Sequence, residues 1–113
     1  MFDWLFQKKY PTISVLELVD ILRSSPPNVA FIDVRGKEEW DKGHIAGFQH
    51  IPFYELKSRA DELIKNKQVY FICHSGGRSG RACDILAEYG YTGAVNVLGG
   101  MSEWVARGLP VER

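Results

Sequence analysis

Short segments that are apolar on both faces constrain the fold of this chain more than any other feature of its sequence. Val29–Val34 and Val69–Cys73 carry apolar side chains at odd and even positions alike. Such a strand has no face for water, and it is typical of a parallel sheet that helices cover on both sides. Two shorter strand patterns, Gln49–Ile51 and Ala94–Leu98, continue the alternation of strands and helices. We therefore expect an α/β fold with a central, mostly parallel sheet of about five short strands.

Amphipathic helices separate these strands. Ser14 and Glu17 have the spacing of a capping box, and an apolar stripe at helical spacing follows them. A polar helical turn is expected over Lys37–Lys42, and a helix with one apolar stripe over Phe53–Ile64. The remaining predicted helices run from near Ser79 to Gly90 and from Gly100 to Gly108.

The length and charge of the chain narrow the class of protein. Its 113 residues suffice for one domain, which we expect over residues 12–113, after an N-terminal tail of residues 1–11. The apolar residues of this tail either pack on the flank of the domain or, as the alternative, residues 1–10 form a short amphipathic segment that contacts a membrane or a partner. Fourteen basic residues balance fourteen acidic ones, which argues against a nucleic-acid-binding surface. The longest apolar run, Val69–Cys73, is far too short to span a membrane, so we expect no transmembrane segment.

Only two cysteines are present, Cys73 and Cys83, and their spacing fits neither a disulfide framework nor a zinc site. The three histidines are scattered and complete no metal site, so we expect neither a metal ion nor a cofactor. Free thiols suit a reducing compartment, and the lysines of the N-terminal segment follow its apolar stretch instead of preceding it as in a signal peptide. These features predict a cytoplasmic protein.

The chemistry is expected at the carboxyl end of the strand that Cys73 terminates, because ligands of open parallel sheets bind at that edge. The glycine-rich stretch Ser75–Ser79 follows, and glycine lets backbone amides converge on one point. The helix that begins near Ser79 directs its free N–H groups and its positive dipole end to the same place. A thiolate is stabilised in such a position, whereas a cysteine that merely fills the core needs no anion site.

Four separated blocks of sequence, between Ile13 and Val111, resemble a single-domain rhodanese-like sulfurtransferase. These blocks are Ile32–Arg35 with Glu38 and Trp40; Gly43–Gly47 with Ile51 and Pro52; Cys73–Ser79; and Val97–Gly100 with Trp104 and Gly108–Pro110. The resemblance implies the rhodanese-like α/β fold. It also implies an enzyme of the thiosulfate sulfurtransferase type.

By this resemblance, Cys73 is the catalytic nucleophile: it accepts a sulfane sulfur from thiosulfate or a related donor and becomes a persulfide. The sulfur then passes to a thiol, to cyanide or to a protein acceptor. Covalent catalysis of this kind divides the transfer into two half-reactions. The residues expected to contact the substrate are His74, Ser75, Gly76, Gly77, Arg78, Ser79 and Arg35.

Two other functions stay open. The same fold can serve as a sulfur carrier or partner-binding module with little turnover. A phosphatase or arsenate reductase is the other alternative, but phosphatase loops have five residues between cysteine and arginine, whereas four separate Cys73 from Arg78 here. The shorter loop favours a single sulfur atom over a tetrahedral phosphate.

Several supporting residues have two possible roles. Arg78 is expected to steer an anionic donor or to hold the loop, and Arg35 is either a substrate contact or a structural ion-pair partner. Asp33 is expected to support the loop backbone. His74 is expected to be a loop residue first and a general acid or base second. Cys83 is expected to fill the core, with a resolving thiol as the alternative.

Overall fold

The structure, a computed structural model, describes residues 10–113. Its strands are β1 (Thr12–Ile13), β2 (Val29–Asp33), β3 (Gln49–His50), β4 (Gln68–Ile72) and β5 (Ala94–Val97). Its α-helices are α1 (Val15–Ser24), α2 (Lys37–Lys42), α3 (Ala60–Leu63), α4 (Gly77–Glu88) and α5 (Gly100–Ala106). Residues 1–9 of the predicted tail lie outside the described residues, so the division of the chain after residue 11 stays a prediction.

The five strands form one parallel sheet in the order β1-β5-β4-β2-β3. This arrangement confirms the predicted α/β fold. The central strand, β4, pairs with β2 on one side and with β5 on the other, in a register that sets Ile72 beside Asp33 and Phe71 beside Asn96. Because all strands run the same way, the segments that follow β2, β4 and β5 leave the sheet at one edge.

Apolar side chains cover both faces of the sheet, as the doubly apolar strands predict. Phe71 packs with the α3 and α4 side of the molecule, whereas its neighbour Ile72 packs with the α1 and α5 side. The first cluster includes Ile32, Val34, Ile51, Leu56, Ala60, Leu63, Val69, Cys73, Ala82, Cys83, Leu86 and Ala94. The second includes Val15, Leu18, Ile45, Phe48, Val97, Met101 and Trp104.

The predicted start of α1 is confirmed in detail. The Glu17 amide donates to Ser14 Oγ at 3.1 Å, and the Ser14 amide donates to Glu17 Oε1 at 3.0 Å. Each partner thus satisfies a backbone donor that the helix itself leaves free. Val15 and Leu18 then bury the apolar side of the helix.

The predicted helix over Phe53–Ile64 is only partly present. The segment forms two 3₁₀ turns, Phe53–Glu55 and Lys57–Arg59, before the single α-helical turn of α3. Leu56 is nevertheless fully buried, because consecutive short turns bring apolar residues to one side much as a continuous helix does. Sequence periodicity therefore located the buried face but could not distinguish the two backbones.

Two smaller differences concern the strands. Two-residue strand β1 is too short to produce a periodic pattern, and the sequence does not single it out. Strand β4 ends at Ile72, so Cys73 is the first residue beyond it and not its last.

No helix within residues 10–113 is long and apolar enough to cross a membrane.

Candidate active site

The sulfur of Cys73 occupies the position that a capping side chain takes at the start of many helices. The loop after Cys73 leads into α4, and Gly76, just before the helix, has φ +110° and no side chain to accept from the first amides. The N–H groups of Gly76 and Ser79 donate instead to Cys73 Sγ, at 3.1 and 3.4 Å. The sulfur therefore lies at the positive end of the α4 dipole.

The hydrogen bonds at Cys73 outweigh its burial. Only 1% of the residue is exposed, and burial by itself raises the pKa of a thiol. The amides of Ser79, Gly76 and Ser75 stabilise the thiolate, and so does the Ser79 hydroxyl, 3.3 Å from Sγ, when it donates its proton to the sulfur. Together they bring the pKa of Cys73 below its ordinary value. The site therefore favours a charged, nucleophilic sulfur.

The first turn of α5 holds the other side of the loop. The Met101 amide donates to the Cys73 carbonyl at 2.8 Å, and the Ser102 amide donates to the His74 carbonyl at 2.9 Å. Gly100 permits this approach, because a Cβ at that position would lie 2.4 Å from the Cys73 carbonyl oxygen. The Gly-Gly turn after β5 thus anchors the backbone that carries the thiol.

A buried amide that the sequence analysis missed braces the loop from β5. Asn96 is 3% exposed, its Nδ2 donates to the Gly76 carbonyl at 3.2 Å, and its Oδ1 accepts the Ser79 hydroxyl at 2.6 Å. A signal for it was present, because Asn96 is the one polar residue in an otherwise apolar strand. Buried amides need partners, and those partners proved to be the loop and the first turn of α4.

Arg78 forms a two-pronged ion pair with Glu39 on α2. Its two terminal nitrogens donate to the two carboxylate oxygens at 2.8 and 2.9 Å, and the Gly36 amide donates to the same carboxylate at 3.1 Å. Chiefly because of the bond from Arg78, the pKa of Glu39 is lowered to about 2. Sequence reasoning pointed to Glu38 and missed Glu39, whose partner is remote in sequence.

Arg35 and Asp33 form a buried pair at the end of β2. The Arg35 guanidinium donates to both Asp33 oxygens at 2.8–3.0 Å and to the Gly43 carbonyl at 2.7 Å. Asp33 also accepts the Arg35 amide at 3.0 Å, as expected of a residue that supports the loop backbone. Much of the Arg35 donor capacity is therefore used inside the protein.

The other predicted loop residues lie at the surface. His74, Ser75 and Gly77 are exposed. A cleft of about 450 Å³ opens beside His74, between α2 and α5. Its lining includes Arg35, Glu39, Lys42, Gly43, Met101, Ser102, Val105, Val111 and Arg113. Among residues 10–113, no three His, Cys, Asp or Glu side chains come together in a way that could hold a metal ion.

Cys83 has no exposed surface and lies within the α4 layer of the core. Burial, reinforced by the nearby Asp84 carboxylate, raises its pKa to about 12. Both cysteines are free thiols. This environment suits the predicted role of core filler and keeps the thiol protonated.

A family model for the rhodanese-like domain matches residues 14–107, a range that contains every element from α1 to α5 together with the Cys73 loop. The chain belongs to the rhodanese-like family. This rhodanese-like chain is 31% identical, over 111 residues, to the human thiosulfate:glutathione sulfurtransferase, covering 86% of the present chain and 95% of the human one. It is 41% identical over 83 residues to YrkF of Bacillus subtilis (strain 168), which is named as a proposed sulfur carrier protein.

Solved structures give the same assignment. A rhodanese-related protein from Thermoplasma volcanium superimposes with a TM-score of 0.79 at 31% identity, covering 91% of this chain and 98% of the other.

The alignment with YrkF spans 74% of this chain but only 45% of YrkF. The names of the human relative and of YrkF, a sulfurtransferase and a proposed sulfur carrier, both refer to sulfur transfer in general.

Proposed function

We propose that this rhodanese-like protein is a sulfurtransferase that moves a sulfane sulfur from thiosulfate or a related donor to a thiophilic acceptor, through a persulfide on Cys73. The observation that carries the proposal is the pair of N–H groups, from Gly76 and Ser79, that donate to Cys73 Sγ. A cysteine that only fills space has no need of such donors. Both cysteines are free thiols, which suits the reducing cytoplasm.

In the first half-reaction, the Cys73 thiolate attacks the outer sulfur of thiosulfate. A bond forms between the two sulfurs, and the sulfur–sulfur bond of thiosulfate breaks, so that sulfite leaves with the bonding electron pair. The product is a persulfide whose outer sulfur carries the negative charge. The loop amides and the positive end of α4 stabilise this charge for the same reason that they stabilise the thiolate.

In the second half-reaction, an acceptor such as a thiolate or cyanide attacks the outer sulfur. The new bond to the acceptor forms as the persulfide bond breaks, and Cys73 leaves as a thiolate. A low pKa of Cys73 helps this step, because the thiolate of a more acidic thiol is a better leaving group. The glutathione in the name of the human relative supports a thiol as the acceptor class.

Arg78 is suited to receive the anionic donor. A guanidinium has five N–H donors, and the pair with Glu39 uses two of them. The Arg78 side chain is 40% exposed, so its remaining donors are available beside the loop. We infer that Glu39 holds Arg78 in place while Arg78 binds the charged oxygens of thiosulfate. Arg35, whose guanidinium is already bound to Asp33 and Gly43, contributes mainly to the shape of the loop.

A sulfur carrier is the second candidate, and the name of YrkF favours it. A carrier and an enzyme share the Cys73 persulfide and differ in what accepts the sulfur. A carrier takes up one sulfur per molecule yet transfers it poorly to small acceptors and readily to a protein partner.

Intact-mass spectrometry after incubation with thiosulfate tests the persulfide, and thiocyanate formation with added cyanide tests turnover. We expect one added sulfur atom per chain, absent in Cys73→Ser and present in the matched Cys83→Ala variant, and continuous thiocyanate production. Sulfur uptake without turnover identifies a carrier. No sulfur uptake by the reduced, folded protein contradicts both functions.

A further inference from the structure

The orientation of the buried Asn96 side chain is determined by its partners. The Gly76 carbonyl can only accept a hydrogen bond, so the amide nitrogen of Asn96 must face it, at 3.2 Å. The amide oxygen therefore faces Ser79 Oγ, at 2.6 Å. An amide oxygen can only accept, so the Ser79 hydroxyl is the donor in this contact.

Ser79 has one hydroxyl proton and two acceptors for it. While the proton points to Asn96, the hydroxyl oxygen presents its lone pairs to Cys73 Sγ, at 3.3 Å. This arrangement suits a neutral thiol, because the S–H group can then donate to Ser79. The three side chains form a continuous chain of donors and acceptors that ends at the Asn96 oxygen.

Ionisation of Cys73 changes the demand on that proton. A thiolate can only accept, so the Ser79 hydroxyl stabilises it only by turning its proton from Asn96 to the sulfur. The Asn96 oxygen then loses its donor, in surroundings where only 3% of the residue is exposed. A buried acceptor without a donor is unfavourable, so Asn96 competes directly with the thiolate.

We propose that Asn96 is a positioning residue that acts through the Ser79 hydroxyl proton and thereby sets the balance between the neutral and the charged sulfur of Cys73. The inference rests on the proposed sulfur transfer for its purpose. When the sulfur has been accepted, the negative charge moves to the outer atom and the inner sulfur becomes neutral. The proton then returns to Asn96, and it turns back to Cys73 when the acceptor removes the outer sulfur.

The charged and titratable groups around Cys73 belong to other parts of the site. Arg78 on α4 interacts electrostatically with the sulfur, and Asp33 and Arg35 form their own pair at the end of the neighbouring strand β2. The first turn of α5 contacts the Cys73 and His74 carbonyls through the amides of Met101 and Ser102. Further along α4 lie Cys83 and Asp84, and both interact electrostatically with Tyr10, which precedes β1. Substitution of Asn96 changes none of these groups.

The test is a titration of the Cys73 thiolate by its ultraviolet absorbance, in a Cys83→Ala background so that one thiol reports. In Asn96→Val, which keeps a strand-forming side chain but removes the acceptor, we expect the pKa of Cys73 to fall by about one unit. Asn96→Ala serves as the second variant, with circular dichroism to verify folding in each. If Asn96 only braced Gly76, its loss would loosen the loop and raise the pKa instead.

A double substitution distinguishes an effect of Asn96 through the Ser79 hydroxyl from an effect through the Gly76 backbone. In a Ser79→Ala background, Asn96→Val should no longer lower the pKa of Cys73, whereas Ser79→Thr should keep the effect because it keeps the hydroxyl. A rise or no change in the folded Asn96 variants overturns the proposal, and so does an equal fall without the Ser79 hydroxyl. The titration needs no sulfur donor, so its outcome is independent of whether sulfur transfer itself is observed.

Discussion

Cys73 and Cys83 are almost equally hidden, with 1% and 0% of their surfaces exposed, and both pack in the same apolar cluster. The pKa values of the two thiols are nevertheless shifted in opposite directions. The pKa of Cys73 lies below the ordinary value, whereas the pKa of Cys83 is raised to about 12. Burial alone therefore says little about the reactivity of a cysteine. The decisive factor is whether hydrogen-bond donors are available to the sulfur.

The position of each thiol along α4 explains the difference. Cys73 lies before the helix, where the first N–H groups have no partner within the helix and turn to the sulfur. Cys83 lies in the middle, where the N–H groups are bound to carbonyls of the preceding turn. Charge adds to the contrast, because Arg78 acts on Cys73 while the Asp84 carboxylate acts on Cys83.

The largest expected effect comes from replacing each thiol in turn. Cys73→Ser should abolish persulfide formation and thiocyanate production, because serine cannot form the persulfide. Cys83→Ala should leave both nearly intact. Peptide mapping after thiosulfate treatment should place the added sulfur on the Cys73 peptide. A Cys73–Cys83 disulfide in that map, or loss of turnover in Cys83→Ala, would instead assign Cys83 a role as resolving thiol.

Alkylation rates should differ by about a hundredfold or more at neutral pH, because only the thiolate reacts and Cys83, with its pKa raised to about 12, is almost entirely protonated there. Mass spectrometry of peptides after brief iodoacetamide treatment measures both sites in one sample. Unfolding in denaturant provides the control, since it should make the two rates similar. Comparable rates in the folded protein would contradict the inferred role of the loop donors.

Removal of the charge beside Cys73 should have a smaller effect on turnover. We expect Arg78→Ala to lower kcat/KM for thiosulfate about tenfold or more, because it removes a hydrogen bond to a charged group of the substrate. Lysine should not fully rescue it, because lysine lacks the planar guanidinium that also pairs with Glu39. Arg81→Ala, an exposed position on the same helix, is the matched control. An unchanged rate at limiting thiosulfate in Arg78→Ala would rule out donor binding by this residue.

The dependence of stability on pH should have opposite signs for the two thiols. Cys83 has a raised pKa, so its contribution is full below the ordinary value of 9.0 and is lost as pH rises toward 12. Relative to Cys83→Ala, the wild type should lose about 1.4 kcal/mol of unfolding free energy per pH unit in that range.

Cys73 has a lowered pKa, so its ionisation favours the folded state. That contribution is present above pH 9.0 and is lost as pH falls through the folded pKa. Compared with Cys73→Ser, the wild type should therefore gain stability as pH rises toward 9.0. Urea unfolding at a series of pH values measures both differences. Slopes of equal sign for the two thiols would contradict the opposite shifts.

The sequence alone determined the fold class and the place of the reactive loop. Both depend on local signals: apolar strands and helical stripes record burial in their period, and the Ser14–Glu17 capping box marks the start of a helix within a few residues. Cys73, the glycine-rich loop and the start of the next helix also follow one another directly in the sequence, so the position of the thiol near a helix N-terminus could be inferred. The backbone of the Phe53–Ile64 segment could not, because 3₁₀ and α turns share an apolar stripe.

Only the tertiary structure decided which side chains serve the loop. Glu39 and Arg78 form their ion pair although 39 residues separate them in sequence, and Asn96 on β5 contacts Ser79 on α4. The Arg35 guanidinium donates to Asp33, at the end of β2, and to the carbonyl of Gly43, just after α2. Such contacts arise from the register of the parallel sheet, which brings the ends of β2, β4 and β5 to one edge. A linear pattern carries no record of that edge, because residues adjacent there are far apart along the chain.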